Sequence, residues 1–342
     1  MSFFGSMFIG CNRGGHLRSI VRKWKWSYRE LIPFLIAGVL TCAGLLLLLP
    51  DETESEVHIQ QDADASYLQV YLMDEDHLLV PLFFSQEADN DPQRQIEVMV
   101  DYLSGKQPLE GFQSFFTQED VLDSVEVSDG RATLCFNERF LSYDAQDELR
   151  LVEALVWGTT QFSGVEEVVF QLDGETLTSM PQAGTPLAQP LSRKIGINHF
   201  ESSSATLHDS TSLLVYGVKK IDGMNYLVPR SRRVDAASRS SLEAQTAAIL
   251  RDLSASSTLT STMDDHALSI DIQETGIIDL TLDESIFSSD QSLQQDDVNE
   301  LVLSLCALPE VQGIRLICDG TACDADQVLK ADQLYYNIVE LH

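Results

Sequence analysis

The run Asp74-Glu75-Asp76-His77 puts three carboxylates and an imidazole into four residues. Paired carboxylates beside a histidine have the composition of a general acid/base site, where neighbouring charge separates two pKa values. The same run sits between two apolar stretches, residues 68–72 and 78–84, and there it reads more simply as a solvated turn. The other groups with chemical potential are dispersed. His16, His58, His77, His199, His208, His266 and His342 stand at neither HExxH nor HxH spacing. GxSxG, Walker and GxGxxG patterns are missing from the sequence. Asp319 opens "DGTACDAD", which lacks calcium-loop spacing. Six cysteines include no CxxC, and Cys135, Cys306 and Cys318 lie in apolar patterned stretches where they pack as small hydrophobes. Cys318 and Cys323 could form a disulfide outside a cell, and the sequence leaves that open. The expectation is a chain with no catalytic residues, no cofactor and no metal.

Charge carries more information. The net charge is −31, yet residues 1–30 hold six Lys/Arg and one acid, leaving 16 bases against 52 acids beyond them. Such an acidic body disfavours nucleic acid as a partner. Residues 67–91 contain six acids and no Lys or Arg. Residues 212–239 contain Lys219, Lys220, Arg230, Arg232, Arg233 and Arg239 against Asp222 and Asp235. The candidate interaction surface is therefore Asp74, Glu75 and Asp76 opposed to Lys219, Lys220, Arg230, Arg232 and Arg233. One reading is a solvated face. The other is that the basic hairpin meets an acidic one, within the chain or head-to-tail in a neighbour, where a heterologous contact closes into a ring or runs on as a filament.

These charges belong to a repeat. "GVEEVVFQLDGE" from Gly164 and "PEVQGIRLICDGT" from Pro309 align at an offset of 146 residues: Val165 with Val311, Val168 with Ile314, Gly174 with Gly320. Upstream, Val70-Tyr71 is echoed by Val215-Tyr216, and Leu79-Val80-Pro81 by Leu227-Val228-Pro229 with three extra residues in the turn. Pro81 argues for an edge or bulged strand. Asp91, Pro92 and Gly105 bracket a first helix with Ile96, Met99, Val100 and Leu103 on one face. Asp129-Gly130 signals a hairpin. A second helix carries Leu149, Val152, Leu155 and Val156 on one side. The order is strand, strand, helix, strand, strand, helix, strand, twice. The expected fold is α/β (α+β): a tandem duplication of a ββαββαβ module of about 110 residues behind an N-terminal transmembrane helix.

Residues 31–49 form 19 uncharged, mostly apolar residues with Trp24, Trp26 and Tyr28 before them and "DETESE" after them. A helix of that length approaches the hydrocarbon core of about 30 Å. The basic flank stays inside, so the bulk of the chain lies outside the cytoplasm. The alternative is a lipoprotein processed at Cys42, for which "VLTC" is a weak signal. The expected layout is a basic cytoplasmic segment 1–30, a transmembrane helix 31–49, an acidic stalk 50–66, a first module 67–182, a Pro/Gly-rich linker 183–211, a second module 212–321 and a tail 322–342.

With the repeat in view, "LQVYLMDEDHLLVP", "DGRATLCFNERF", "FSGVEEVVFQLDGE" and "PLSRKIGIN", with their second-copy counterparts, resemble the GerM domain family of sporulation and spore germination proteins. The resemblance spans residues 67–321 and rests on order and spacing. Two loops depart from the family pattern: "SGKQP" and "FFTQE" in the first copy, with a Ser/Thr-rich "SASSTLTSTM" in the second. The resemblance implies an envelope component with two modules, similar to the ring-building domains of secretion and sporulation channels, which acts by assembly with other envelope proteins or with itself. The competing reading is a cell-wall enzyme or a peptidoglycan-binding adaptor anchored at the membrane.

Overall fold

Asp-Gly pairs close the hairpins. Asp129 and Gly130 take φ of 50° and 78°, and Asp222 and Gly223 take 47° and 88°, the left-handed pair that a two-residue turn demands. The computed structural model describes residues 66–86, 91–105, 109–199, 210–235, 237–255, 267–282, 295–318, 321–322, 327–334 and 336–339. In the first module β1 (Ser66–Asp74) and β2 (Leu79–Gln86) lead into α1 (Pro92–Leu103) and a short β3 (Phe112–Gln113). There follow β4 (Leu122–Ser128), β5 (Arg131–Phe136), α2 (Glu148–Thr159), β6 (Glu167–Leu172) and β7 (Glu175–Thr176). The second module repeats the order with β8 (Ser210–Ile221), β9 (Met224–Asp235), α3 (Leu242–Ala255), β10 (Ala267–Ile272), β11 (Ile277–Leu282), α4 (Gln295–Leu305), β12 (Gly313–Cys318) and β13 (Thr321–Ala322). A final short strand, β14, is Ile338–Val339.

The duplication extends to individual hydrogen bonds. β5 pairs antiparallel with β4 and parallel with β6, and β11 does the same with β10 and β12. Arg131 faces Glu167 and Phe136 faces Leu172; Ile277 faces Gly313 and Leu282 faces Cys318. Each equivalent position differs by 146. Glu166 N donates to Gly130 O at 2.8 Å, and Gln312 N donates to Gly276 O at 2.8 Å. α2 and α4 are the crossovers that parallel pairing requires.

The helices follow their caps. Asp91 accepts from Gln93 N at 3.1 Å, Pro92 fills the first turn, and Gly105 at φ 74° ends α1. Ile96, Met99, Val100 and Leu103 are buried as the spacing predicts. α2 differs from expectation. Leu149 is 46 % exposed, while Leu151, Ala154 and Trp157 join Val152, Leu155 and Val156 inside. The helix packs on β1, β6 and α1, so it is covered nearly all round and a single apolar stripe does not describe it.

Two stretches read from composition as linker and tail are packed into the body instead. Leu187, Leu191 and Ile197 are buried and belong to the first module's core. Leu191 exchanges backbone hydrogen bonds of 2.8 Å with Val168. Leu329 does the same with Ile314 at 2.8 and 2.9 Å. The reason is geometric: β7 and β13 are two residues long and leave much of the β6 and β12 edges to be satisfied. Among the described residues no helix is long and apolar enough to cross a membrane. The expected transmembrane segment 31–49, the rest of 1–65, Cys42 and Cys323 lie outside the described residues.

Candidate functional site

The segment after each module crosses to the other module. β14 pairs parallel with β2 at Phe83 and Phe84. Ser231 N, on β9, donates to Ile197 O at 2.7 Å, and Phe83 N donates to Asn337 O at 2.9 Å. An asparagine anchors each crossing. Asn198 accepts from Leu79 N and donates to Leu79 O and to Pro229 O, all at 2.8 Å. Asn337 accepts from Leu227 N at 2.9 Å and donates to Leu227 O and Pro81 O, both at 2.7 Å. Leu79 and Leu227 are repeat equivalents, and so are Pro81 and Pro229. The bond from each asparagine to the other module's proline is thus matched by its reverse, as in an isologous, two-fold interface. The residue type follows from the task. Both asparagines sit at positive φ, 47° and 49°, which Asn tolerates, and an amide supplies the acceptor and two donors that these backbones need. The prolines mark where β2 and β9 present an outward carbonyl with no N–H beside it.

Glu153 holds the first clamp from behind. Its Oε2 accepts from Asn198 N at 3.1 Å and from Arg150 at 2.7 Å. Burial pushes this carboxyl above its ordinary range, partly opposed by the Arg150 guanidinium. Nearby, Trp157 donates its indole N–H to Gly196 O at 2.8 Å, and the Arg193 guanidinium lies over the indole at 4.7 Å.

The charged hairpins meet at this interface, one lysine at a time. Lys219 Nζ pairs with Asp74 Oδ2, and with Asp76 Oδ2 at 2.7 Å. The Asp74 side chain is fully buried, and Asp74 Oδ1 accepts from Asp76 N at 3.0 Å and Leu78 N at 2.8 Å, closing its own turn. Burial opposes the charge on Lys219, but hydrogen bonds to Asp74 and Asp76 outweigh it and raise its pKa. The hydrogen bond from Lys219 holds the Asp76 carboxyl below its usual range. Counting from Val70 and Val215, Asp74 and Lys219 are the same position of the repeat. A two-fold interface brings such a position against its own copy. Identical copies would set like charge against like charge here; the difference between the copies makes the pair attractive.

The other members of the proposed surface are placed differently. Glu75 and Lys220 are exposed. Arg230 is 3 % exposed and so belongs to no surface. It pairs with Asp252 on α3 at 2.9 Å, and Arg232 reaches the same carboxylate at 2.7 Å. The register of β9 turns Arg230 inward, where the buried carboxylate supplies its counter-charge. Arg233 is exposed and lines a cleft between the modules. His77 bonds Asp147 at 2.8 Å, so the Asp74–His77 run builds a turn and an interface. Among the described residues no group of three or more His, Cys, Asp or Glu is placed to hold a metal ion.

Residues 69–178 match the Germane family, described as sporulation and spore germination. The chain is 25 % identical over 287 residues to the spore germination protein GerM of Bacillus subtilis, covering 79 % of this chain and 77 % of that one. Its structure matches the solved tandem GerMN domains of the sporulation protein GerM from Bacillus subtilis with a TM-score of 0.67 and 24 % identity, over 78 % of this chain and 96 % of the other. Residues 69–178 form a GerM-type domain, and the two-module body is similar to GerM in sequence and fold.

One anchor inside the first GerM module escaped the sequence reading. Glu148, 1 % exposed, opens α2 and accepts from Tyr143 OH at 2.6 Å, Gln182 N at 2.9 Å, Ala183 N at 2.7 Å and Thr185 N at 2.8 Å. The Pro181-to-Thr185 turn thus forms a nest of N–H groups around a carboxylate. Burial pushes the Glu148 carboxyl up, but the hydrogen bonds outweigh it and hold it at about 2. A carboxyl depressed on folding adds stability that is present above its unfolded pKa of about 4.3 and is lost as pH falls toward the folded value, here worth about 3 kcal/mol. Glu148→Gln should therefore lose roughly 2–3 kcal/mol at pH 7 and flatten the stability curve between about pH 5 and pH 2. Urea titrations of both proteins across that window check this; parallel curves would contradict it.

Proposed function

We propose that this GerM-domain chain is a non-catalytic, membrane-anchored envelope protein whose bulk lies outside the cytoplasm and which acts by protein–protein assembly in sporulation or spore germination, as a component or stabiliser of a ring or channel. The observation that carries the reading is the joining of two GerM modules into one body by reciprocal contacts, the architecture shared with a sporulation protein. Kinship over most of its length with a protein named for spore germination supports the setting. The charged residues at the junction act on one another rather than on a small substrate, which fits a scaffold. The basic segment 1–30 and apolar 31–49 supply the anchor.

The test is deletion in the spore-forming host, with counts of heat-resistant spores and germination of those that form, followed by crosslinked capture of the full chain from sporulating membranes. The expected result is a defect in spore formation or germination, and recovery of envelope proteins in defined stoichiometry. Normal spores and normal germination in the deletion strain would contradict the reading. So would hydrolysis of cell-wall material by the purified chain.

A further inference from the structure

A cleft of about 1430 Å³ lies between the two modules. Its walls come from equivalent parts of each: β1 and β8, the C-terminal ends of α2 and α4, and the two crossing segments. That volume exceeds the roughly 300–1,000 Å³ of a small-molecule pocket and leaves room for a segment of a polymer.

Its chemistry is unlike that of the rest of the chain. Arg193, Lys194 and Arg233 line it against Glu310 and Asp332, so bases outnumber acids in a chain with 22 bases and 53 acids. Arg193, Lys194 and Arg233 are exposed. Arg193 is already ordered: it lies flat on Trp157 and donates to Thr160 Oγ1 at 2.9 Å and to Trp157 O at 3.3 Å. A guanidinium held this way has little rotamer freedom left to lose when an anion arrives. The second module adds an aliphatic wall, including Ala307, Leu308, Pro309 and Leu334.

Tyr71, Trp157 and Tyr216 are buried and offer a sugar polymer no open ring face, while Tyr67, Phe83 and Tyr336 are half-buried. Trp157 is covered by Arg193. Phe83 packs edge-on to Tyr336 at 5.0 Å, and Tyr336 to Tyr216 at 6.3 Å. Tyr71 and Tyr216 are 1 % and 8 % exposed. What the cleft presents is cationic side chains beside aliphatic ones.

We propose that this cleft docks an acidic polypeptide segment bearing aliphatic side chains, supplied by a partner protein. The acidic groups meet Arg193, Lys194 and Arg233, and the aliphatic groups lie on the wall at Ala307, Pro309 and Leu334. Docking there also bridges both crossing segments, so the site exists only while the two modules are joined. The proposal rests on the assembly reading and names the class of partner.

The experiment uses the full chain in neutral-detergent micelles and a labelled short peptide of Glu, Ala and Leu, followed by fluorescence anisotropy. A peptide with Gln in place of Glu and soluble cell-wall glycopeptide fragments are the comparison ligands. Lys194→Glu with Arg233→Glu should weaken binding of the acidic peptide about tenfold, as reversal of charge at an interface does. Glu310→Lys should strengthen it, and binding should fall as salt shortens the screening length. An unchanged thermal midpoint certifies each variant, and the single Lys194→Glu variant serves if the double one does not fold. Equal binding by wild type and variants, equal binding of the Gln peptide, or no binding of the acidic peptide overturns the proposal. Binding of glycopeptide alone overturns it in favour of a wall-facing site. None of these results alters the sporulation test of the deletion strain, so the two readings fail separately.

Discussion

Replacing Lys219 with Ala should destabilise the two-module body by roughly 3–5 kcal/mol, because removing one partner of a buried ion pair leaves the other charge uncompensated. Asp74 is the group left behind: its side chain is fully buried, and its Oδ2 faces Lys219. At about 2–4 °C per kcal/mol for a body of this size, the thermal midpoint should fall by about 6–20 °C. Asp76 provides the internal control. Its side chain is 71 % exposed, so Asp76→Asn should leave the midpoint nearly unchanged, as solvent screening of a surface pair requires. Lys219→Asp should be worse than Lys219→Ala, since it restores the like-charge contact that the diverged copies avoid. If Lys219→Ala and Asp76→Asn shift the midpoint equally, the buried pair does not hold the modules together.

The second large effect should come from the clamps. Asn198→Ala removes three hydrogen bonds at once and leaves Leu79 N–H, Leu79 C=O and Pro229 C=O without the side-chain partner they have now. An orphaned buried polar group costs about 1–3 kcal/mol. With some relaxation and entry of water, the loss should total roughly 3–4 kcal/mol. Asn337→Ala breaks the equivalent set and should cost slightly less, because Asn337 is half-buried while Asn198 is fully buried. Asn→Asp at either position keeps the acceptor but loses both donors, so it should not rescue. Thermal melts of the single and double variants measure this. Since each clamp joins both modules, the double variant should fall short of additivity. Strict additivity would mean that the clamps act independently.

How far the sequence announced this molecule differs from element to element. The repeat was legible because strand registers and turns leave local marks: Asp129-Gly130, Gly276, and apolar positions at a constant offset of 146. The cap at Asp91 was legible for the same reason. The asymmetry of charge between the hairpins was also visible, and Lys219 meets Asp74 and Asp76 across the modules. What did not show were partners set by tertiary geometry. Arg230 is a strand residue like its neighbours until β9 turns it toward Asp252, 22 residues away. Glu148 is one acid among many until Pro181-to-Thr185 folds over it. The crossing segments read as linker and tail because Pro, Gly and polar residues break any periodicity, and Leu187, Leu191 and Ile197 follow none. A signal was nevertheless present. "GIN" at Asn198 and "YNI" at Asn337 follow the two copies at nearly the repeat distance, each an asparagine beside isoleucine. A small polar residue recurring after a module, outside any turn between strands, marks a buried amide with a job common to both copies.

β2 and β9 are secured by the same reciprocal contacts, so neither module's hairpin should be stable without the other. Hydrogen exchange of the full chain in micelles across a urea series tests this most directly, read at peptides covering β2 and β9 in the wild type and in Asn198→Ala. The predicted result is that both hairpins lose protection at one urea concentration, and that Asn198→Ala, although the residue follows the first module, moves both to lower urea together. If β9 keeps its wild-type protection while β2 alone is weakened, the modules are neighbours and not one body.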